Sequence, residues 1–569
     1  MRLLKSYEVN LLFAGGLYLL TLLVYSNAFN GPFVYEDFSN ILDNPALRMS
    51  VIDAEKLFQA GFSSDSPHGS LADISFALNY YLGDYRVFGF HLVNVLIHTA
   101  NGLLIYFLVL AIGRTQDGGE SFWRWVAFLS GLFFLVHPLQ TQAISYISQR
   151  STILTGFFYL VSLLLYVLGR RSFVPATRFA LWCGAGVAGI SAFATNAMAL
   201  SLLLVLFVWE WCFGRGESAT FLRRTLLSVL LFGSVLASLA VLSFGPAPAG
   251  FDTYEYTIWQ RFMTECQVVT IYLGLALWPD PARLNLLHEV SVSQGWLSPI
   301  GAAIGLIVVI GLGVASLRVK RNCPVIAFAL CWLLLHLAFA FPFDGKRLVA
   351  EHRMYLPMVG FSVALGYVLV WICTRMRAVG IAVVIGIFVC LSSATYLRNA
   401  IWQDRLTLWV DVVSKNPNDP IGLNYLGLAL LDKGHYAKAQ TQFTEALFQQ
   451  PDYAEAYNNL GVLMASEGRY SEGLHYFRQA VAVSPEYARA RHNLGHTFSL
   501  LGRDADAIEA LRGALNVNPN YDQAHVALAN VLLKVGEFTA ACEHLKAAHR
   551  LAPRDQRIEA AIAQCLPAN

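Results

Sequence analysis

Two carboxylates stand side by side at Glu36 and Asp37, just past the first long apolar run of the chain. Adjacent acids at a boundary between water and hydrocarbon suit general-base work, because partial desolvation and mutual repulsion raise one pKa towards a useful range. Taken alone, such a pair is also what a solvated loop carries. Its company gives it point. The same stretch holds Tyr35, Asp43, Asn44 and Pro45, and other polar stretches supply the cations Arg150, Arg261, Lys346, Arg347, His352 and Arg353. Acids on one loop and cations on others match an anionic substrate held between them. His137 and Pro138 close another apolar run ahead of "LQTQAISYISQR". That histidine reads either as a helix cap or as a substrate contact.

These groups are spaced out along a chain built for a membrane. Of its 569 residues 56% are hydrophobic and 14% charged, against about 25% charged in soluble domains. A net charge of +2 with no basic, aromatic-laced stripe excludes a nucleic-acid binder. The nine cysteines form no CxxC pair, so the spacing predicts neither a zinc site nor a disulfide framework. Apolar stretches at 8–28, 90–112, 122–137, 151–169, 179–195, 198–213, 225–244, 298–317, 323–341, 355–372 and 380–397 give eleven candidate membrane helices. The first lacks a small-residue cleavage site and reads as a retained helix. With the N-terminus cytoplasmic, Arg114, Arg170, Arg178, Arg223, Arg318 and Arg375 fall on the cytoplasmic side. Residues 258–278 are apolar enough to tempt a twelfth span. Counting it would reverse the side of Arg318 and sink Arg261 and Glu265 in hydrocarbon. They are expected to form an interfacial or re-entrant segment on the outer face, and the odd number of spans puts the C-terminal region outside the cytoplasm.

That region repeats. Pro417, Pro451, Pro485, Pro519 and Pro553 recur every 34 residues, with Gly427, Gly461 and Gly495 and with Ala446, Ala480, Ala514 and Ala548 in step. A 34-residue period with Leu-Gly in a first helix, then Ala, Phe, Ala and a closing Pro, is the tetratricopeptide (TPR) pattern of stacked helix pairs. Full repeats are predicted at 420–453, 454–487, 488–521 and 522–555. One extra helix precedes them, continuous with the last span, with Trp409 at the register of Phe443 and Phe477. Asn424, Asn458, Asn459, Asn493 and Asn530 fall on first helices. They are expected to face a concave groove, where amides would bond an extended acceptor peptide; ordinary solvated positions are the other reading.

A polyisoprenyl phosphate sugar fits acids and cations spread over outer loops. Its tail lies in lipid, its phosphate needs arginine or lysine, and its anomeric carbon needs a hydroxyl relieved of its proton. Beyond the chemistry, "FVYEDFSNILDNPAL", "ISFALNYYLGDYRVFGFHLVNVLIHTANGLLIY", "LVHPLQTQAISYISQR" and "LVAEHRMYLPMVGF" stand in order along the chain. With the TPR array after them, the chain resembles the transmembrane and TPR-containing protein O-mannosyltransferases and their bacterial homologues. These are polyisoprenyl-phosphate-dependent glycosyltransferases of the GT-C fold. The resemblance implies an active site on the luminal or periplasmic face. Its paired acids map onto Glu36 and Asp37, with Glu36 replacing the family's usual Asp. Its last outer motif maps onto Glu351, Tyr355 and Pro357, with His352 and Arg353 between. Gly69 and Ser70 replace a family Arg-Pro, Asn196 and Ala197 a Lys-Glu, and Gln140 and Gln142 a histidine and an acid.

The expectation is an all-α chain: a polytopic GT-C-type membrane domain over 1–398, a connecting helix over 399–419, four TPR repeats over 420–555 and a cap over 556–569. Its function would be sugar transfer from a polyisoprenyl phosphate donor to serine or threonine hydroxyls of exported proteins. Asp37 and Glu36 would be catalytic. Arg353, His352, Glu351, Arg150, His137, Arg261, Lys346 and Arg347 would hold donor or substrate. The alternative is a non-catalytic membrane scaffold carrying a TPR array. No cofactor is evident, and no metal-ligand spacing compels a divalent ion.

Overall fold

A computed structural model of the chain describes residues 2–62, 71–114, 116–214, 220, 257–339 and 348–565. Among them the regular structure is helical, with no strand beyond one isolated bridge between Gly295 and Ser298. The chain divides into two compact units. One comprises Met1–Phe33, His68–Ala72 and Val87–Gln403; the other comprises Val34–Pro67, Asp73–Arg86 and Asp404–Asn569.

In the first unit, helices stand at ten of the eleven positions read from the sequence, and 225–244 lies outside the described residues. Five are long and apolar enough to cross a bilayer: Val87–Gly113, Ile147–Arg171, Gly301–Val319, Pro357–Arg375 and Arg377–Ile401. A sixth is reached if Glu120–Val136 and Pro138–Ser145, bent by 54° at the His137–Pro138 break, count as one span. Glu8–Val24, Ala197–Phe213 and Pro324–Ala338 are apolar but shorter, below the ~20 residues a straight crossing takes. The segment read as interfacial is one helix, Ile258–Leu277. Thr257 and Gln260 close a reciprocal capping box at its start. It is not among the five. A continuous apolar core joins these helices, with Phe133, Tyr159, Trp332 and Met358 fully enclosed.

The second unit holds the repeats. First helices run Pro420–Asp432, Ala454–Ser466, Ala488–Leu500 and Asp522–Lys534; second helices run Tyr436–Gln449, Tyr470–Val483, Asp504–Val517 and Phe538–Leu551. Each second helix stops just before its proline, which cannot continue it. The period is enforced by contact. A Cβ at Gly427 would stand 2.5 Å from the Phe443 ring, so only glycine lets the two helices of the repeat close on that ring. Gly434, Gly468, Gly502 and Gly536 take φ of +72° to +87° at the turn between helices, a conformation that penalises a side chain. The preceding helix, Arg405–Lys415, is separate from the last long apolar helix. Arg377–Ile401 ends, and Asp404 starts the new helix by accepting from the Thr407 N–H at 3.0 Å.

This unit also contains part of the N-terminal polar stretch, which runs along the array in chain order. Tyr35 packs edge-on against Trp409 and Tyr425, before and within the first repeat. Asp43 meets Arg489 of the third repeat at 2.6 Å. Arg48 meets Asp522 of the fourth at 2.7 Å. The guanidinium of Arg554, just past the last helix of the fourth repeat, lies over the rings of Tyr80 and Tyr81. The Asp43–Arg489 pair is half-exposed, at 47% for each side chain, and exposed pairs contribute about 0–1 kcal/mol. Arg48 and Asp522 are only 12% and 18% exposed, so theirs is the anchoring contact.

Cys542 is disulfide-bonded, while Cys183, Cys212, Cys266, Cys323, Cys331, Cys373 and Cys390 are free. The cysteine spacing supported no disulfide framework, and a bond at Cys542 is one it did not announce. Under denaturing, non-reducing conditions Cys542 is expected to resist alkylation and to take up reagent only after reduction. Alkylation of all nine cysteines before reduction, read by intact mass, would remove the bond.

Candidate functional site

Asp37 is fully buried, and Glu36 beside it is exposed. One pair thus offers a desolvated carboxylate and a hydrated one. The Asp37 carboxylate accepts from the Val34 N–H at 2.9 Å, and a wide turn over Phe38–Leu42 follows. Tyr35 takes φ +51°, a left-handed conformation that is costly for a bulky residue and persists where surroundings impose it. Here the surroundings are Trp409 and Tyr425, which stack on each other at 4.7 Å and flank the Tyr35 ring. On the other side of the acids the Arg405 guanidinium lies 4.8 Å from the Phe38 ring centre. Both neighbours of the acid pair are therefore held by the helices that open the array.

In the membrane unit the motif 351–357 forms a second polar centre. Glu351 is buried; one oxygen accepts from the Asn285 N–H at 2.6 Å and pairs with His288 Nε2 at 3.0 Å, and the other has no hydrogen-bond partner among the described residues. The His352 N–H donates to Gln142 Oε1 at 2.7 Å. Arg353 is nearly buried and donates to the Leu348 carbonyl at 3.2 Å. The Tyr355 hydroxyl receives the Asn101 amide at 2.8 Å and bonds His98 Nδ1 at 2.9 Å. Pro357 then opens the next helix at a position where its missing N–H costs nothing. Arg150 starts its helix fully buried, bonding Asn94 Oδ1 at 2.7 Å and the Phe90 carbonyl at 2.8 Å. Arg261 approaches Glu265, one helical turn on, at 3.6 Å.

His137 has a different use. Its Nδ1 accepts from the Leu139 N–H at 3.3 Å and its Nε2 faces the Ala276 carbonyl at 3.0 Å, so the ring caps the bend. Lys346, Arg347, Gly69 and Ser70 lie outside the described residues. Gln142 and Asn196, which depart from the family pattern, serve the backbone: the first holds His352, and the second caps Ala197–Leu200 through the Met198 N–H at 2.9 Å.

The asparagines require a correction. Asn424, Asn458 and Asn459 are buried, and Asn493 is partly so. Asn459 donates to Asn424 and Asn493 to Asn458, each at 2.8 Å. These amides bond from one repeat to the next because the stacking of first helices encloses them. His492, whose pKa burial pushes down to about 4, is neutral and bonds Asn493 at 3.2 Å. Of the five, Asn530 is exposed.

Sequence reasoning missed Asn94, His98, Asn101, Asn285 and His288. A signal existed for three of them: Asn94, His98 and Asn101 recur on one face of an otherwise apolar helix, where polar side chains mark interior contacts. Asn285 and His288 carry no such pattern. Among the described residues no group of three or more histidines, cysteines or acids comes together to hold a metal ion.

Comparison with known proteins bears on both units. Tetratricopeptide repeat models match residues 426–488 and 464–531. The Caenorhabditis elegans protein O-mannosyl-transferase F38B6.6 is 25% identical over 77% of this chain and 62% of its own length. Human protein O-mannosyl-transferase TMTC3 is 25% identical over 75% of this chain and 50% of its own. Among solved structures, a thermophilic TPR protein of Thermus thermophilus is 24% identical, covering 32% of this chain and 95% of that one. Its TM-score of 0.27 is too low to carry an argument. The chain is an all-α membrane protein with a TPR array, and it spans 62% and 50% of the length of these two relatives. Within that class it is similar, at 25% identity, to proteins named as protein O-mannosyl-transferases in Caenorhabditis elegans and human.

Proposed function

We propose that the chain transfers a sugar, mannose by the activity for which its relatives are named, from a polyisoprenyl phosphate donor to serine or threonine hydroxyls of exported polypeptides. The acceptor oxygen attacks the anomeric carbon as the bond to the phosphate breaks; the lipid phosphate leaves, and the hydroxyl proton passes to Asp37. Attack opposite the phosphate inverts the anomeric centre. Glu36 positions the acceptor, and the array recruits it, with Asn530 its exposed candidate contact. Arg353, Arg150, Arg261, His352, Lys346 and Arg347 are the candidates for the donor phosphate, with Glu351 orienting the motif.

The observation that carries this reading is the buried Asp37 beside the exposed Glu36, at the position of the paired acids in the family the chain resembles. The placement of the array outside the cytoplasm, in periplasm or lumen, draws support from the Cys542 disulfide, since such bonds persist in oxidising compartments. Intact mass spectrometry of exported proteins with and without the chain tests the function. Hexose shifts that vanish with the chain are expected, and unchanged masses would refute it.

Arg353→Lys separates phosphate binding from lipid anchoring. A lysine keeps the charge but not the planar fork, so transfer is expected to fall ~10-fold or more at unchanged membrane levels. Wild-type transfer would leave Arg353 as an anchor and shift the assignment to Arg150.

A further inference from the structure

We propose that the TPR array is the positioning frame of the acid-bearing loop, with Tyr425, Trp409, Arg405 and Asp522 as positioning residues that set the geometry of Asp37. The inference rests on the proposed catalytic use of the acid pair and extends it to residues far along the chain, from Arg405 to Asp522.

The contacts bracket the acids. Tyr35, one residue before Glu36, is held in its left-handed conformation between Trp409 and Tyr425. Phe38, one residue after Asp37, lies against Arg405. A buried carboxylate between two such holds has little freedom to wander.

Further along, Arg48 staples four chain segments. Its guanidinium donates to Tyr85 Oη at 3.0 Å and the Leu42 carbonyl at 2.9 Å, both in the loop. It also donates to Asp522 at 2.7 Å and the Leu551 carbonyl at 3.5 Å, both in the array. Mostly buried, with acceptors on both sides, this junction is a permanent joint rather than a lid. An acceptor that had to displace the loop would have to break all of it.

The test uses the full chain. Tyr425→Leu and Asp522→Ala are expected to speed amide exchange over residues 34–47 by ~10-fold. Transfer to exported proteins should fall by up to ~10²-fold, the scale of an ångström-level misplacement, while the protection of the second helices of the repeats is retained. Tyr425→Phe, which keeps the ring, should restore both. Joining Asp43→Cys to Arg489→Cys with a short bismaleimide should leave transfer intact. Loosened exchange with undiminished transfer would overturn the proposal, as would loss of transfer in the cross-linked protein. Full transfer by Asp37→Asn would sink the catalytic reading instead, and the exchange measurement tells the two failures apart because it needs no activity.

Discussion

Asp37→Asn is expected to lower transfer by ~10²–10⁴-fold, the usual effect of removing a general base, with the protein still folded and inserted. The amide keeps the size of the side chain and can still accept from the Val34 N–H, now 2.9 Å from the carboxylate. It cannot take a proton from a hydroxyl. Glu36→Gln should cost less, because an exposed carboxylate is exchanged there for a neutral group of the same reach. The measurement is the hexose mass shift on exported proteins, normalised to the amount of chain in the membrane. Undiminished transfer by the Asp37 variant would end its assignment as base.

Phe443→Ala is expected to destabilise the array by about 3–5 kcal/mol, the range for emptying a buried aromatic site. Phe443 is fully enclosed, and Gly427 exists in that position to admit it. Since no side chain at Gly427 can fill the void, the site collapses poorly. Amide exchange over 420–449 should report the loss, and with the array so weakened the residues around Asp43 and Arg48 should lose protection too. Destabilisation of less than ~1 kcal/mol would mean the repeats are held by other contacts.

The repeats were legible because a physical period writes itself into residue types: Gly427 against Phe443, and a φ-positive glycine at each turn. The acid pair was visible in the sequence, but which acid is buried was not, since Glu36 and Asp37 differ only in what the fold puts over them. Four of the five asparagines, all but Asn530, were seen and misread. An amide on a first helix looks the same in sequence whether it faces solvent or another amide, and the 2.8 Å rungs appear only once repeats stack. The contacts of Tyr35, Asp43 and Arg48 were invisible, because partners nearly 400 or more positions away leave no local pattern. The short helices at Ala197–Phe213 and Pro324–Ala338 show the limit of counting crossings from apolar runs alone.

Asp43 and Arg48 lie five residues apart, while their partners Arg489 and Asp522 lie 33 apart, close to one repeat of chain. The loop is therefore a gauge cut to the pitch of the solenoid. Duplicating or deleting a repeat between those partners would move one anchor out of reach, whereas repeats appended beyond residue 555 would leave the gauge undisturbed. Lineages of this chain can thus be expected to vary in length at the far end of the array and to hold constant the number of repeats that the loop measures.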